Sequence, residues 1–292
     1  MRLVLATRRS ALALAQAEAV AAALRAGGHE VELLPLVTTG DRRSRAPGSA
    51  SAADVTGLFV KELEEALLAG DADLAVHSAK DLPTDLPPGL AVLAVPERAD
   101  PRDVLVAPGG LEDLPPGSRI GTGSPRRRKQ LREVRPDLIA VDVRGNVDTR
   151  LAKLRRGEVD GLVLAAAGLA RLGIDAGPTE PLDPAAFVPA PGQGCLALEG
   201  CLGRDDLAEV AAAVDDPAAH AALRAERAFL AGLGGGCLTP VGALGEARGG
   251  ELRLLGYLAP PGGRARRGSV AGAAADAERL GLELARTLGA GA

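Results

Sequence analysis

Aromatic residues are almost missing from this chain: of 292 residues, none is Trp, one is Tyr and three are Phe. They are Phe59, Phe187, Phe229 and Tyr257. Single-stranded nucleic-acid sites stack bases on aromatic platforms, so this scarcity argues against one and predicts no nucleic-acid partner. It also leaves the core to Ala, Leu and Val. Cysteine and histidine are scarce as well. Cys195, Cys201 and Cys237 are odd in number and lack the spacing of a disulfide framework. Together with the three His they never reach zinc-ligand spacing, so no metal site is expected. No apolar run approaches the ~20 residues of a membrane span. The N-terminal apolar run is closed early by Arg8 and Arg9, too short for a signal peptide. These absences predict a cytoplasmic protein with no membrane partner. Walker and Rossmann glycine patterns are absent, and no Ser-His-Asp arrangement is legible.

What is present is an ordinary globular composition, 47% hydrophobic and 25% charged, with a length that suggests roughly two domains. The net charge of −4 names no partner, but its distribution is uneven. Between Ser118 and Arg156 twelve Lys/Arg stand against four Asp/Glu, which points to a local anion site.

The hydrophobic pattern begins β-α-β-α. Arg2 to Thr7 reads as a strand, Ala11 to Ala26 as a helix capped by Ser10 and stopped at Gly27-Gly28, and Val31 to Thr38 as a second strand. Asp41 to Ala53 has no period and reads as a loop. Leu58 to Ala69 is a helix and Asp73 to His77 a strand. Helix followed by Gly70-Asp71-Ala72-Asp73 resembles helix followed by Gly157-Glu158-Val159-Asp160, as two lobes of similar design would produce. Glu97 to Asp103 reads as the crossing into the second lobe, and Pro189 to Gly194 as the return. Between them lie strand Arg119–Gly121, helix Pro125–Val134, strand Leu138–Val143, helix Val147–Arg156 and strand Leu162–Ala166. A helix at Ala218 to Leu230, three short strands, and a Leu280, Leu284, Leu288 stripe close the chain as a small α+β domain.

The chemistry is carried by where the cations sit. Ser124 and Pro125 open a helix directly after a strand, placing Arg126 and Arg127 in its first turn. Two arginines at the positive end of a helix are unfavourable unless an anion lies nearby. Arg144, Arg150, Arg8 and Arg9 also lie between strands and helices, and open α/β sheets bind ligands beyond the carboxyl ends of their strands. A flexible ligand with several carboxylates would account for so many dispersed arginines. His77-Ser78-Ala79-Lys80-Asp81 leaves a buried strand. Lys80 and Asp81 are candidates for binding and proton transfer, although spacing alone favours a structural Lys–Asp pair. Cys237 follows Gly234-Gly235-Gly236, where a thiol is reachable and would be a good nucleophile near positive charge, although position alone equally allows an inert buried cysteine.

Seven segments in order resemble the porphobilinogen deaminase (hydroxymethylbilane synthase) family. They are Ala6-Thr7-Arg8-Arg9-Ser10; Gly57-Leu58-Phe59-Val60-Lys61-Glu62-Leu63; Ala75-Val76-His77-Ser78-Ala79-Lys80-Asp81-Leu82-Pro83; Glu97 to Asp103; Arg144-Gly145-Asn146-Val147-Asp148-Thr149-Arg150; Pro191-Gly192-Gln193-Gly194; and Gly235-Gly236-Cys237 with Pro240-Val241-Gly242. The resemblance covers nearly the whole chain and weakens after about Tyr257.

It implies an α/β fold of two periplasmic-binding-protein-like lobes with mixed, mostly parallel sheets, plus a small C-terminal α+β domain. The implied limits are 1–98 with 196–216 for lobe one, 99–195 for lobe two and 217–292 for the third domain. It implies a dipyrromethane cofactor in thioether linkage to Cys237, with Asp81 as the acid/base. Arg8, Ser10, Phe59, Ser78, Lys80, Thr122, Ser124, Arg126, Arg127, Arg144, Arg150 and Arg171 would bind cofactor and substrate. The implied activity is a transferase of tetrapyrrole and heme biosynthesis. It joins four porphobilinogen molecules head to tail, releases ammonia, and then frees hydroxymethylbilane by hydrolysis, acting as a monomer. There are departures: Thr56 replaces a lysine, Thr39 stands where Arg is common, and Gly123 and Pro125 alter the run before Arg126. Two other readings stay open on the residues alone: a two-lobed anion-binding protein without catalysis, and a nucleic-acid binder using Arg126 to Arg135.

Overall fold

The computed structural model describes residues 1–40, 59–234 and 240–290. The expected loop at Asp41 to Ala53, Thr56 and Cys237 lie outside the described residues.

The first sheet is built from β1 (Arg2–Arg8), β2 (Glu30–Leu36), β3 (Leu74–Ser78), β4 (Leu90–Ala94) and β10 (Leu196–Cys201), in the order β2-β1-β3-β10-β4. The second combines β5 (Asp103–Val106), β6 (Arg119–Gly121), β7 (Ile139–Val141), β8 (Gly161–Ala165) and β9 (Thr179–Pro181), in the order β7-β6-β8-β5-β9. β1 pairs parallel with β2 and β3, while β10 runs antiparallel to both β3 and β4. β6 pairs parallel with β7 and β8, while β5 runs antiparallel to both β8 and β9. In each sheet, then, four of the five strands share a direction, as the mixed, mostly parallel expectation required. The odd strand is in each case the first to follow a crossing between sheets, at Glu97–Asp103 for β5 and Pro189–Gly194 for β10. A chain entering a sheet from its neighbour comes without the helical crossover that parallel pairing demands. The third sheet, β11 (Val241–Arg248), β12 (Glu251–Leu258) and β13 (Arg266–Ala273), is an antiparallel meander.

Helices form where the sequence caps them. The Ser10 side chain accepts from the Ala13 amide at 3.2 Å and opens α1 (Ala11–Ala26), whose Ala17, Val20, Ala21 and Leu24 pack under β1 and β3. α2 (Lys61–Ala69) stops at Gly70, which takes φ +76°. Ser124 caps α3 (Pro125–Val134), accepting from the Arg127 amide at 3.4 Å, with Pro125 at its start. Asn146 precedes α4 (Val147–Arg155) but makes no side-chain cap bond.

α5 (Ala166–Leu172), α6 (Asp205–Ala212) and β10 were not read from the sequence. Glu199 and Gly200 interrupt the apolar run of β10, and α5 follows β8 with no capping side chain at Ala165. α7 (Pro217–Gly232) and α8 (Ala277–Gly289) cover the third sheet. Their contact shows how a core poor in aromatics packs: a Cβ on Gly281 would stand 2.3 Å from the Ala225 carbonyl, so the two backbones touch. Phe187, Phe229 and Tyr257 are buried; Phe59 alone of the four aromatics stands partly open. Among the described residues no helix is long and apolar enough to cross a membrane, and no group of three His, Cys, Asp or Glu could hold a metal.

Candidate active site

The carboxyl ends of β1, β3 and β8 face one cleft. Ser78 ends β3, and a 3-10 turn, Ala79–Asp81, carries Lys80 and Asp81 past its end. Arg8 ends β1, and Arg171 lies on α5 just beyond β8. One part of the cleft is lined by Arg8, Ser10, Phe59, Ser78, Lys80, Asp81 and Arg171. The adjoining part is lined by Arg127, Asn146, Asp148 and Arg150 and shares Arg8, Ser10 and Lys80 with the first. The two parts are therefore one continuous crevice between the two larger sheets.

The cations are held in place differently. Arg8 lies over the Phe59 ring, 4.2 Å from its centroid, a contact that fixes a guanidinium without neutralising it. Arg171 donates from Nη2 to the Gly194 carbonyl at 2.6 Å, and Arg150 from Nε to the Gly145 carbonyl at 2.7 Å. Among the described residues, neither Lys80 nor Asp81 makes a hydrogen bond or an ion pair with a protein group. The structural Lys80–Asp81 pair favoured by spacing is thus absent. The extended φ, ψ at Ser78 and the short turn after it splay the two side chains into the cleft. Crowding by the crevice walls, opposed by Asp81 and helped by Arg127, pushes the Lys80 ammonium down to about 8, although the residue is exposed to solvent. Burial, then the Arg127 charge, also lowers Arg150 from its ordinary value.

Arg126 stands apart from this group. The anion that the two arginines of the first helical turn require is a residue of the chain, Asp103, the first residue of β5. Arg126 donates from Nη1 to Asp103 Oδ2 at 2.7 Å and to the Val188 carbonyl at 2.6 Å. Arg127 donates from Nε and Nη2 to Asp103 Oδ1 at 3.0 and 2.8 Å. Burial alone would raise the Asp103 carboxyl; the two guanidiniums outweigh it and hold it well below the usual carboxylate range. Gln193, from the second crossing, donates Nε2 to Asp103 Oδ1 at 2.9 Å. Arg126 is 5% exposed and lines neither part of the cleft, whereas Arg127 reaches it.

Thr122 is buried, and its hydroxyl accepts from the Ser124 amide at 3.2 Å; both hydroxyls shape the α3 start rather than the cleft wall. Arg144 is exposed and bound to Asp142 at 3.0 Å. Reading the sequence assigned no role to Asp103 or Gln193. A charged residue opening an apolar strand was the available signal for Asp103.

The crevice collects Arg8, Lys80, Arg127, Arg150 and Arg171 against Asp81 and Asp148, with Asp103 behind. Among the described residues its cations outnumber its carboxylates, the property required to hold a polycarboxylate.

Comparison with known proteins agrees with this geometry. Residues 3–209 match the family model "Porphobilinogen deaminase, dipyromethane cofactor binding domain", and residues 220–290 match "Porphobilinogen deaminase, C-terminal domain". A porphobilinogen deaminase of Roseiflexus castenholzii is 51% identical over 98% of this chain and 95% of its own. One of Thermus thermophilus is 49% identical over 97% and 94%. Among solved structures, the periplasmic VFT2 domain of Bordetella pertussis BvgS matches at 16% identity over 73% of this chain and 86% of that one, with a TM-score of 0.38.

Proposed function

The chain belongs to the porphobilinogen deaminase family, and from that membership we propose how its own residues perform the reaction. The enzyme is a transferase of tetrapyrrole biosynthesis. It condenses four porphobilinogen molecules head to tail on a dipyrromethane cofactor, releases an ammonia at each step, and frees hydroxymethylbilane by hydrolysis. The bound cofactor supplies the primer, a pyrrole carbon to which the first substrate unit is joined.

The observation that carries the reading is Asp81, without a hydrogen-bonding or ion-pair partner among the described residues, in a crevice crowded with cations. Each porphobilinogen brings two carboxylates. Arg8, Arg127, Arg150, Arg171 and Lys80 bind them, with Ser10 and Ser78 as hydroxyl partners. Phe59 orders Arg8 at the mouth. Arg126, Thr122 and Ser124 support this set from behind, and Arg144 stands outside it. Among the described residues Asp81 has no hydrogen-bonding or ion-pair partner, which leaves it available to the substrate. It hands a proton to the departing ammonia, stabilises the positive pyrrole left behind, and takes up the proton released when the new carbon–carbon bond forms. Cys237 anchors the cofactor through its sulfur.

The division into 1–98 with 196–216, 99–195 and 217–292 belongs to the same proposal. The three sheets draw their strands from those ranges, which supports it. A cytoplasmic monomer completes the reading.

The test is the intact mass of the purified protein beside Cys237→Ser, followed by ammonia release from porphobilinogen by wild type and Asp81→Asn. A wild-type excess of two pyrrole units that the Ser variant lacks, and loss of turnover in Asp81→Asn, are the expected results. A bare polypeptide mass that stays bare after incubation with porphobilinogen overturns the assignment of Cys237.

A further inference from the structure

Behind the Asp81 turn lies a buried cluster that the proposed chemistry does not use. His77 Nε2 stands 3.0 Å from Glu199 Oε2, and the two side chains are 3% and 0% exposed. Ala197 lies opposite His77 and Glu199 opposite Ala75 in the β3–β10 ladder, so His77 and Glu199 are diagonal neighbours on one sheet face. Glu64, from α2, is also buried. Burial first, then the charge of Glu199, raises its carboxyl above the ordinary value, against the pull of His77. Arg227 of α7, which donates to the Thr84 carbonyl at 3.0 Å, also feels the charge of Glu199. Among the described residues, neither oxygen of Glu199, nor Oε1 of Glu64, nor Nε2 of His77 completes a well-directed hydrogen bond. Removing two carboxylates from water is costly, and incompletely bonded ones are costlier than the apolar side chains that fill the rest of this core. The cluster adjoins the cleft: His77 is among the residues that line it, beside Lys80 and Asp81.

We propose that Glu199, with Glu64 behind it, is a positioning residue that acts through His77 on the turn carrying Asp81. The inference rests on Asp81 being the acid/base of the proposed function. Glu199 fixes the His77 ring, and the ring steadies the last residues of β3, so the Ser78–Asp81 segment leaves a rigid wall. Ionisation of Glu64 changes the charge behind that wall. Activity should therefore feel a carboxylate that never touches substrate.

The experiment uses cofactor-loaded enzyme, with loading verified by intact mass, and compares Glu199→Gln, Glu64→Gln and Asp81→Asn with wild type. Glu65→Gln, an exposed site on the same helix, is the control. Glu199→Gln should lower kcat at least tenfold with KM for porphobilinogen within twofold. Wild type should show an inflection of kcat with pH above the ordinary carboxylate range, and Glu64→Gln should lose it. Glu65→Gln should match wild type. Should Glu199→Gln fail to fold, Glu64→Gln decides alone, because Gln replaces a carboxyl already pushed toward its neutral form. Profiles of kcat against pH that superimpose for wild type and Glu64→Gln, or unchanged kcat in Glu199→Gln, overturn the inference. An active Asp81→Asn enzyme instead overturns the acid/base reading beneath it, so the two failures are distinct.

Discussion

Arg127 touches Asp103 with two nitrogens, at 3.0 and 2.8 Å from the same oxygen, and also lines the cleft. One fully buried carboxylate thus sets the position of a cleft cation and, through Arg126, ties the start of α3 to β5. Replacing Asp103 with Asn leaves two buried guanidiniums short of their counter-charge. The expected loss at neutral pH is about 3–5 kcal/mol, the usual cost of removing one partner of a buried pair. The sign follows from the depressed carboxyl. A group held below its unfolded value contributes fully above the ordinary carboxylate range near ~3.9, and that contribution fades as pH falls toward the folded value. Urea unfolding of wild type and Asp103→Asn should show a constant gap from pH 7 to pH 5, closing only in stronger acid. A gap already closed at pH 5 contradicts the pair.

Lys80 makes the opposite case, a cation whose proton is lost early. With its ammonium pushed down to about 8, it loses positive charge as pH rises through that value, and its hold on a carboxylate goes with it. The profile of kcat/KM, which reports free enzyme, should fall above about pH 8. Lys80→Arg keeps its charge throughout this range and should flatten that limb. Lys80→Gln should be weak at every pH. A descending limb that persists unchanged in Lys80→Arg assigns it to another group.

Most of the framework was legible because its signals are local. Ser10 and Ser124 cap the helices they were expected to cap, and the crossings at Glu97–Asp103 and Pro189–Gly194 join the sheets as read. β10 was missed because Glu199 interrupts its apolar run, and that glutamate lies against His77, 122 positions away in the sequence. The conflict of two arginines at a helix start was visible. Its resolution by Asp103 was not, since nothing local connects position 103 to 126. The family pattern implied the site as a set of positions. The division of those positions between cleft and support depends on packing, and so Arg126 and Arg127, adjacent in sequence, part company.

That division yields a contrast between arginines. Arg126→Ala empties a buried pair and should cost about 3–5 kcal/mol of stability. Arg150→Ala removes a cleft cation whose terminal nitrogens find no protein acceptor among the described residues, so stability should change by less than about 1 kcal/mol. Losing a charge-assisted bond to a carboxylate, about 1.5–3 kcal/mol, should raise KM for porphobilinogen roughly 10- to 150-fold. Thermal unfolding and steady-state kinetics on both variants check the pair of outcomes. Equal stability losses would mean that Arg150 is structural too.

The return crossing presses directly on the turn that carries Lys80 and Asp81. Gly192 has φ +74°, and a Cβ there would lie 2.9 Å from both the Ala79 carbonyl carbon and the Lys80 nitrogen. Those are backbone atoms with no rotamer to yield, so the turn itself must move. Gly192→Ala should cost about 2–4 kcal/mol, from the left-handed backbone and the overpacking together. It should also lower kcat at least tenfold, because Asp81 travels with Lys80. Gly157 supplies the comparison: its φ is +71°, yet a Cβ there would meet nothing within 4 Å. Gly157→Ala should pay only the backbone cost of about 1–2 kcal/mol and keep wild-type kcat. If Gly192→Ala, measured as folded and loaded enzyme, also keeps wild-type kcat, then Asp81 does not depend on the seat that Gly192 leaves for its turn.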